Sequence, residues 1–448
     1  MDTSRDLGSV GTDEVDIWRR IGFSKNPYNF KPLRVSSEDR ELFIGRPKEQ
    51  EQFRIQVAGS EGGIVLVQGP VGVGKTSFVN AMQYSRWNPR NGRKKTAGED
   101  KMPRSRATSY LPSFETVELK ENVDLTDFML SVLSNCIYSF EKVHPEASSS
   151  DSELREGKQL VSATVRRGLG GFSISILGSG GGFERNETTT AQPSRIPLPT
   201  VMHVMDGWFE RVVSKFGYRA VIVPINNLDV VSDNWLVEFL NSARDTLLSR
   251  QHVWWILIGG SDLAQTLEIR ARRVSEMITG LPINLEPLSL PELYSVIEAR
   301  VTKFKIGRGS KPPVPQPVVD LLYKVSGGEI RYIFRKLTNI VYDFKLTFPS
   351  ENEIPLDVAL KSVKILAQNE LGRLNLTAKE ENVLKSAVRK ERFRIKDYRN
   401  FEYSSSQAFQ QVISRLTRLN LLTRTRRNPK DVLYSPTGDV NLVYGDLP

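Results

Sequence analysis

Gly69-Pro70-Val71-Gly72-Val73-Gly74-Lys75-Thr76 fits the pattern G-x-x-x-x-G-K-[ST], and no other feature of the chain restricts its fold so tightly. The apolar run Ile64-Val65-Leu66-Val67 precedes it, and a stretch of helical periodicity, Phe78 to Met82, follows. Strand, glycine-rich turn and helix start, in that order, make a cradle for phosphate. The glycines let backbone N–H groups point into the turn, and the helix N-terminus adds partial positive charge. Lys75 is placed to reach β- and γ-phosphates and the Thr76 hydroxyl to sit on Mg²⁺, with Ser77 next in the same first turn. A turn needing glycines only for positive φ would not require a Lys-Thr pair at the helix start. The motif predicts binding of a nucleoside triphosphate.

The second half of such a site departs from the usual chemistry. The next strongly apolar strand, Ala220 to Ile225, runs into Asn226-Asn227-Leu228-Asp229. A phosphate-loop enzyme ordinarily ends this strand with an acid that holds Mg²⁺, followed in many cases by a glutamate that activates water. Here Asn226 and Asn227 hold those places. An amide accepts a hydrogen bond from metal-bound water, but it carries no charge and takes up no proton at neutral pH. Binding with weak or absent hydrolysis is the expectation. The alternative register makes Asp229 the magnesium acid.

Other chemistries lack the residues they need. Cys136 is the one cysteine, so no internal disulfide and no zinc-ligand spacing exists, and His144, His203 and His252 are scattered. Gly168-Leu169-Gly170-Gly171 fails as a dinucleotide fingerprint because no strand pattern feeds it. No apolar run approaches the ~18–20 residues that span a bilayer, and Met1 to Arg20 offers no secretory segment. The chain reads as cytoplasmic and not membrane-bound. Its 448 residues, 39% hydrophobic and 25% charged, leave room for two or three ordinary globular domains. The net charge of +10 is uneven: residues 371–448 hold fifteen Lys+Arg against eight Asp+Glu, a net +7 that leaves +3 for the first 370. A basic C-terminal segment on a nearly balanced body suits a polyanion-binding module or, alternatively, a solvated surface.

Residues 1–40 read as a loose tip followed by an arm, with Trp18, Phe23, Tyr28 and Phe30, packed on the next domain. Helical spacing is predicted for 49–57, 125–140, 236–248 and 264–277, and strands near 63–68, 116–119, 221–225, 253–258 and 282–285. Residues 84–106, basic and turn-rich, are expected to form an exposed loop. Within 145–200, Phe172, Ile174 and Ile176 alternate with serines between glycines, which suits either an inserted strand or hairpin or a flexible linker. Near-continuous apolar strands separated by helices mean a parallel sheet covered on both faces. From Leu290 the pattern is helical, near 290–304, 315–325, 330–344 and 356–370.

The last segment carries its own pattern. Val383, Leu384 and Val388 mark one helix, Ile395 to Phe401 a second, and a serine among Ser404, Ser405 and Ser406 caps a third running to Asn420. In the third, Phe409, Val412, Leu416 and Leu419 form an apolar stripe, while Gln407, Gln410, Gln411, Ser414, Arg415 and Arg418 lie mostly opposite. Leu421 to Arg427 then turns at Asn428-Pro429-Lys430-Asp431 and returns as Val432-Leu433-Tyr434. Three helices and a hairpin make a winged helix-turn-helix. Its Gln- and Arg-bearing third helix suits the major groove of double-stranded DNA, and Arg424, Arg426, Arg427 and Lys430 in the wing suit phosphates.

Residues 40–448 resemble AAA+ ATPases, most closely the origin-recognition and initiator-loading branch. The resemblance implies an α/β P-loop domain of AAA+ type at 41–288, with an insertion at about 145–200. It implies a helical lid at 289–370 and a C-terminal winged helix at 371–448, after the arm at 1–40. It also implies ATP and Mg²⁺ as ligands. In Leu42-Phe43-Ile44-Gly45-Arg46 it places Ile44 beside the adenine. Ser261 occupies the polar sensor place near the γ-phosphate. Arg273 resembles an arginine presented to a neighbouring subunit's nucleotide. Arg331, in Ser326-Gly327-Gly328-Glu329-Ile330-Arg331, resembles the lid arginine that touches the nucleotide. Either arginine can instead be a surface ion pair. The implied function is a nucleotide-switched DNA-binding protein, alone or as a homo-oligomer. The alternative is a STAND-type signalling ATPase whose winged helix is autoinhibitory and which acts through a separate effector protein.

Overall fold

Alternate residues of β1 (Gly63–Gln68) and β5 (Val253–Gly259) enter opposite cores, which fixes how the sheet is clothed. Ile64, Leu66, Val253, Trp255 and Leu257 face one core, and Val65, Val67, Trp254, Ile256 and Ile258 the other. This is the two-residue period of a strand buried on both sides. The computed structural model describes residues 17–87, 109–145, 147, 151–166, 196–307, 311–428 and 431–445. Its sheet adds β2 (Leu111–Pro112), β3 (Val117–Glu118), β4 (Val221–Asn226) and β6 (Ile283–Asn284). The order is β2-β4-β5-β1-β6, with β3 also on β4, and every pairing is parallel. β5 therefore separates the strand feeding the phosphate loop from the strand ending in Asn226. Phe53, Val57, Phe78, Val79 and Met82, from helices Pro47–Ala58 and Lys75–Trp87, cover one face. Helices Leu125–Val143, Leu198–Phe216 and Asp233–Ala243 cover the other.

The stretch 145–200 is where the structure departs most from the sequence reading. Helix Ser152–Arg166 stands inside it, and a 19-residue helix, Leu198–Phe216, begins at its end where no element was expected. The reason is Pro199: a proline in the first helical turn loses no hydrogen bond and starts a helix rather than breaking one. Val201, Val204, Met205, Trp208 and Val212 then bury one face at helical spacing. Asp151, fully buried, leads into the other helix and holds Arg211 Nε and Lys215 Nζ at 2.7 Å each. Phe172, Ile174 and Ile176 lie outside the described residues, as does the basic stretch beyond Trp87. The single helix expected at 264–277 is two, Leu263–Arg270 and Arg272–Ser275, broken at Ala271 with φ −133° and ψ 50°.

The chain divides into two compact units. One holds residues 31–288 with 424–433, and the other the described residues up to Phe30 with 289–423 and those from Tyr434 on. The aromatic arm thus belongs with the helices after residue 289, not with the domain next in sequence. Trp18 packs edge-on to Tyr342, Tyr28 against Phe334, and the Ser24 N–H donates to the Phe304 carbonyl at 2.7 Å. Helices Leu290–Phe304, Gln316–Ser326, Ile330–Thr347 and Leu356–Gly372 build this unit. The first opens with a Ser289–Glu292 capping box, and the second closes at Gly327 with φ +64°.

The winged-helix segment follows its pattern closely. Helix Ala378–Lys390, a 3₁₀ turn Ile395–Phe401 and helix Ser406–Arg418 lead into β7 (Leu422–Asn428) and β8 (Asp431–Pro436). Ser405 is the cap, accepting from the Ala408 N–H. Leu384, Phe393, Phe409, Ile413, Leu416 and Leu422 share one core. The stripe runs through Ile413, while Val412 and Leu419 are only half-buried, because 409, 413 and 416 follow the i, i+4, i+7 rule. An unexpected helix, Gly438–Tyr444, closes the fold, and a Cβ on Gly438 would lie 2.5 Å from the Tyr332 ring.

Candidate nucleotide site and winged-helix surface

The phosphate loop connects the end of β1 to helix Lys75–Trp87, and backbone conformation explains its glycines. Gly72 and Gly74 have φ +76° and +97°, a region closed to most side chains. Gly69 is glycine for space, since a Cβ there would run into the Leu285 carbonyl oxygen. Lys75 is buried and its ammonium donates to the carbonyls of Gly69 (2.9 Å) and Pro70 (3.0 Å). Asp229 Oδ2 lies 3.4 Å from the same nitrogen. Thr76 and Ser77 follow in the first turn, both half-buried, and the Ser77 hydroxyl accepts from the Leu33 N–H at 3.1 Å. Ser77 therefore ties the segment before the loop to this helix.

The carboxylate that meets Lys75 is Asp229, the alternative register of the sequence analysis, which places Asn226 first as the metal-facing group. Asn226 ends β4, half-buried, and its carbonyl accepts from the Leu119 N–H. Asn227 takes the left-handed conformation, φ +66°, which asparagine tolerates better than most residues. That turn brings Asp229 toward the loop, while the Leu228 N–H donates to the Ile258 carbonyl on the neighbouring strand. Gly260 passes close by: a Cβ on it would be 3.4 Å from Asp229 Cβ. Ser261, next in the chain, is exposed at the end of β5.

Two supporting residues escaped the sequence reading. Arg46 is buried, holds φ +59°, and its guanidinium donates to the Val73 carbonyl inside the loop at 2.9 Å. Gln68, the last residue of β1, accepts from the Ala264 N–H at 2.8 Å and donates to Asn284 Oδ1 at 2.7 Å, joining β1, β6 and the helix after β5. The visible signals were only Gly45 before Arg46, and a polar residue closing an apolar strand. Ile44 is half-buried beside Phe43, whose ring packs on Phe78 with centroids 6.0 Å apart.

Arg273 is exposed on the short helix Arg272–Ser275. The Asp245 carboxyl sits below the usual range through its hydrogen bond to Arg244, and the charge of Arg273 acts in the same direction. Arg331 is exposed in the first turn of helix Ile330–Thr347, in the other unit, beside Glu329, whose carboxyl burial pushes up. On helix Ser406–Arg418, Gln407, Gln410, Gln411, Ser414, Arg415 and Arg418 are all solvent-facing to some degree, and Val412 between them is half-buried. Arg415 is also engaged: its Nε lies 3.2 Å from the buried Glu380 carboxylate. Arg424 is exposed in β7; the side chains of Arg426 and Arg427, and all of Lys430, lie outside the described residues. Among the described residues no His, Cys, Asp and Glu cluster forms a metal site, and no helix is long and apolar enough to cross a membrane.

No protein-family model matches the sequence, and no curated protein matches it. Among solved structures, the chain is similar to the ORC2 protein of Aeropyrum pernix in its ADPNP–ADP complexes. Identity there is 12% and the TM-score 0.48, covering 93% of this chain and 95% of that one. It is also similar to the ORC1 protein of Aeropyrum pernix in complex with DNA, at 13% identity, TM-score 0.43 and coverage of 95% and 97%. For Drosophila ORC bound to DNA the values are 11%, 0.38, 98% and 95%. Phosphate loop, a parallel sheet with β5 between β1 and β4, the helices after residue 289 and the three-helix-and-hairpin end give this chain an α/β P-loop fold followed by helices and a segment in the order of a winged helix.

Proposed function

We propose that this chain is an ATP-binding, DNA-binding switch protein. Residues 41–288 hold ATP with Mg²⁺, 289–370 form a helical lid, and the winged helix at 371–448 grips double-stranded DNA. The observation that carries the reading is the Lys75 ammonium, buried over the Gly69 and Pro70 carbonyls at the start of a 13-residue helix. A buried cation at a helix N-terminus, ringed by glycine-permitted backbone, fits a polyphosphate. Thr76, next to Lys75 in the chain, and Asp229, 3.4 Å from the Lys75 ammonium, offer a hydroxyl and a carboxylate, hard-oxygen donors suited to Mg²⁺. The solvent-facing amides and guanidiniums of helix Ser406–Arg418 support the DNA half of the proposal.

The test is binding of the full chain to short duplexes, with and without ATP. Removing Arg424, Arg426 and Arg427 together is expected to weaken binding to every sequence. The salt slope should flatten by up to about 0.9 for each phosphate left unneutralised. Gln410→Ala is expected to change preference among sequences instead. Equal affinity with and without ATP would remove the switch, and no binding at low salt in either state would hand the winged helix to an autoinhibitory role.

Hydrolysis is expected to be slow, at least about a hundredfold below the ~1 s⁻¹ lower end of common turnover rates, because Asn227 stands where a glutamate usually activates water and its amide takes up no proton. Phosphate release by the purified chain checks this. Rapid Mg²⁺-dependent turnover that vanishes in Asp229→Asn would contradict slow hydrolysis and assign the acid to Asp229.

A further inference from the structure

Helices Pro47–Ala58 and Lys75–Trp87 enclose a cleft of about 360 Å³ whose lining is unusual for its charge. Arg40, Arg54 and Arg86 all line it, with Gln50 and Ser85 between them, and Glu51 is the one carboxylate in the lining. The floor is Phe53 and Met82, both buried. Met82, Ser85 and Arg86 lie seven to eleven residues past Lys75 on one helix, roughly 10–16 Å along its axis. The cleft is therefore separate from the phosphate loop.

The three guanidiniums are held in different ways. Arg40 is fixed by the fold: Nε donates to Ser85 Oγ at 2.9 Å and Nη2 to Gln50 Oε1 at 3.1 Å. Arg86 donates to the Arg54 carbonyl and lies over the Tyr110 ring. Burial disfavours the charge on both Arg40 and Arg86. Arg54, with its side chain 58% exposed, pairs with Glu51 at the rim. One carboxylate against three guanidiniums leaves a net charge of +2 in a cavity the size of a small ligand.

We propose that this cleft binds a phosphate group, with Arg40 and Arg86 as preset donors and Arg54 as a mobile one that exchanges Glu51 for the ligand. Planar guanidinium forks match phosphate oxygens in pairs, which a lysine cluster would not. The phosphate can belong to a nucleic-acid backbone or to a small solute. Neither the phosphate loop nor the winged helix takes part in this site.

The experiment uses the full chain carrying Lys75→Ala, so that the loop contributes no competing anion site. Titrated with pyrophosphate at constant ionic strength, its melting midpoint is expected to rise. Arg54→Glu, a change at an exposed position, should remove that rise. Glu51→Gln should strengthen pyrophosphate binding several-fold, a gain that a purely structural role for these residues would not produce. A parallel arm measures duplex binding against salt for Arg54→Gln with Arg86→Gln. A slope lower by roughly 0.9 for each phosphate no longer neutralised identifies the phosphate as DNA backbone. An unchanged slope with an abolished pyrophosphate response identifies a small solute. A pyrophosphate response that neither Arg54→Glu nor Glu51→Gln alters overturns the proposal.

Discussion

Lys75→Ala is expected to reduce ATP affinity by roughly 10²–10⁴-fold. The ammonium is the only cation in the loop and is 90% withdrawn from solvent, with a side-chain exposure of 10%. Its two short donations to Gly69 and Pro70 show where its hydrogens are aimed, across the mouth of the turn. Hydrogen bonds to charged groups contribute about 1.5–3 kcal/mol each, so two withheld from phosphate oxygens amount to about 3–6 kcal/mol, and each 1.4 kcal/mol is about tenfold in Kd. The fold itself should tolerate the change. Asp229, the partner left behind, keeps a side-chain exposure of 23% and can be rehydrated. Titration with a fluorescent ATP analogue, alongside a melting curve, checks both statements. Affinity within threefold of the unmodified protein would mean that this loop is not the nucleotide site.

Lys336→Met should be the most destabilising single change of a polar residue in the helical unit. Lys336 is fully buried and its ammonium lies 2.5 Å from Asp439 and 3.0 Å from Glu370. Tyr332 donates to Asp439 at 3.0 Å, and Arg335 stands 3.7 Å from the same carboxylate. Burial pushes the Asp439 carboxyl up despite the pull of Lys336. In Glu370 burial acts upward too, but its hydrogen bond with Asp439 and the charge of Lys336 outweigh it and hold the group low. The lysine thus neutralises two carboxyls brought together by three helices. Removing one partner of a buried pair costs about 3–5 kcal/mol, and Arg335 at the rim keeps the expected loss near the lower figure. Thermal unfolding of Lys336→Met should show it, and Asp439→Asn added to that variant should recover part of it. A loss below about 1 kcal/mol would mean the cluster behaves as an exposed one.

What could be read from the sequence, and what could not, follows from the range of each interaction. The strands were legible because burial on both faces writes an unbroken apolar run, as in Val221 to Ile225. The phosphate loop and the winged-helix order were legible because their residue types answer local demands. Asp229 was harder: sequence position favoured Asn226 and left Asp229 as the alternative register, and Asp229 lies 3.4 Å from Lys75 beyond a left-handed Asn227. Nothing local in the sequence marks Arg46 or Lys336 as buried. Their burial depends on partners 27 and up to 103 residues away, at Val73 and Asp439. Helix Leu198–Phe216 was missed because it opens with a proline in its first turn, at the end of a stretch rich in glycine and polar residues.

The arm that packs Trp18, Phe23 and Tyr28 into the helical unit carries a consequence for synthesis on the ribosome. Ser24 bonds the Phe304 carbonyl across a sequence separation of 280 residues. At about 5–20 residues per second, roughly 14–56 s pass between the emergence of the two partners in that hydrogen bond. Throughout that interval Trp18, Phe23 and Tyr28 lack the partners they have in the finished fold, and the last strands of the sheet unit, 253–259 and 283–284, emerge only near its end. A nascent chain of this protein therefore offers a sticky N-terminal segment to chaperones, or to its neighbours on the same message, until the helices beyond residue 289 appear.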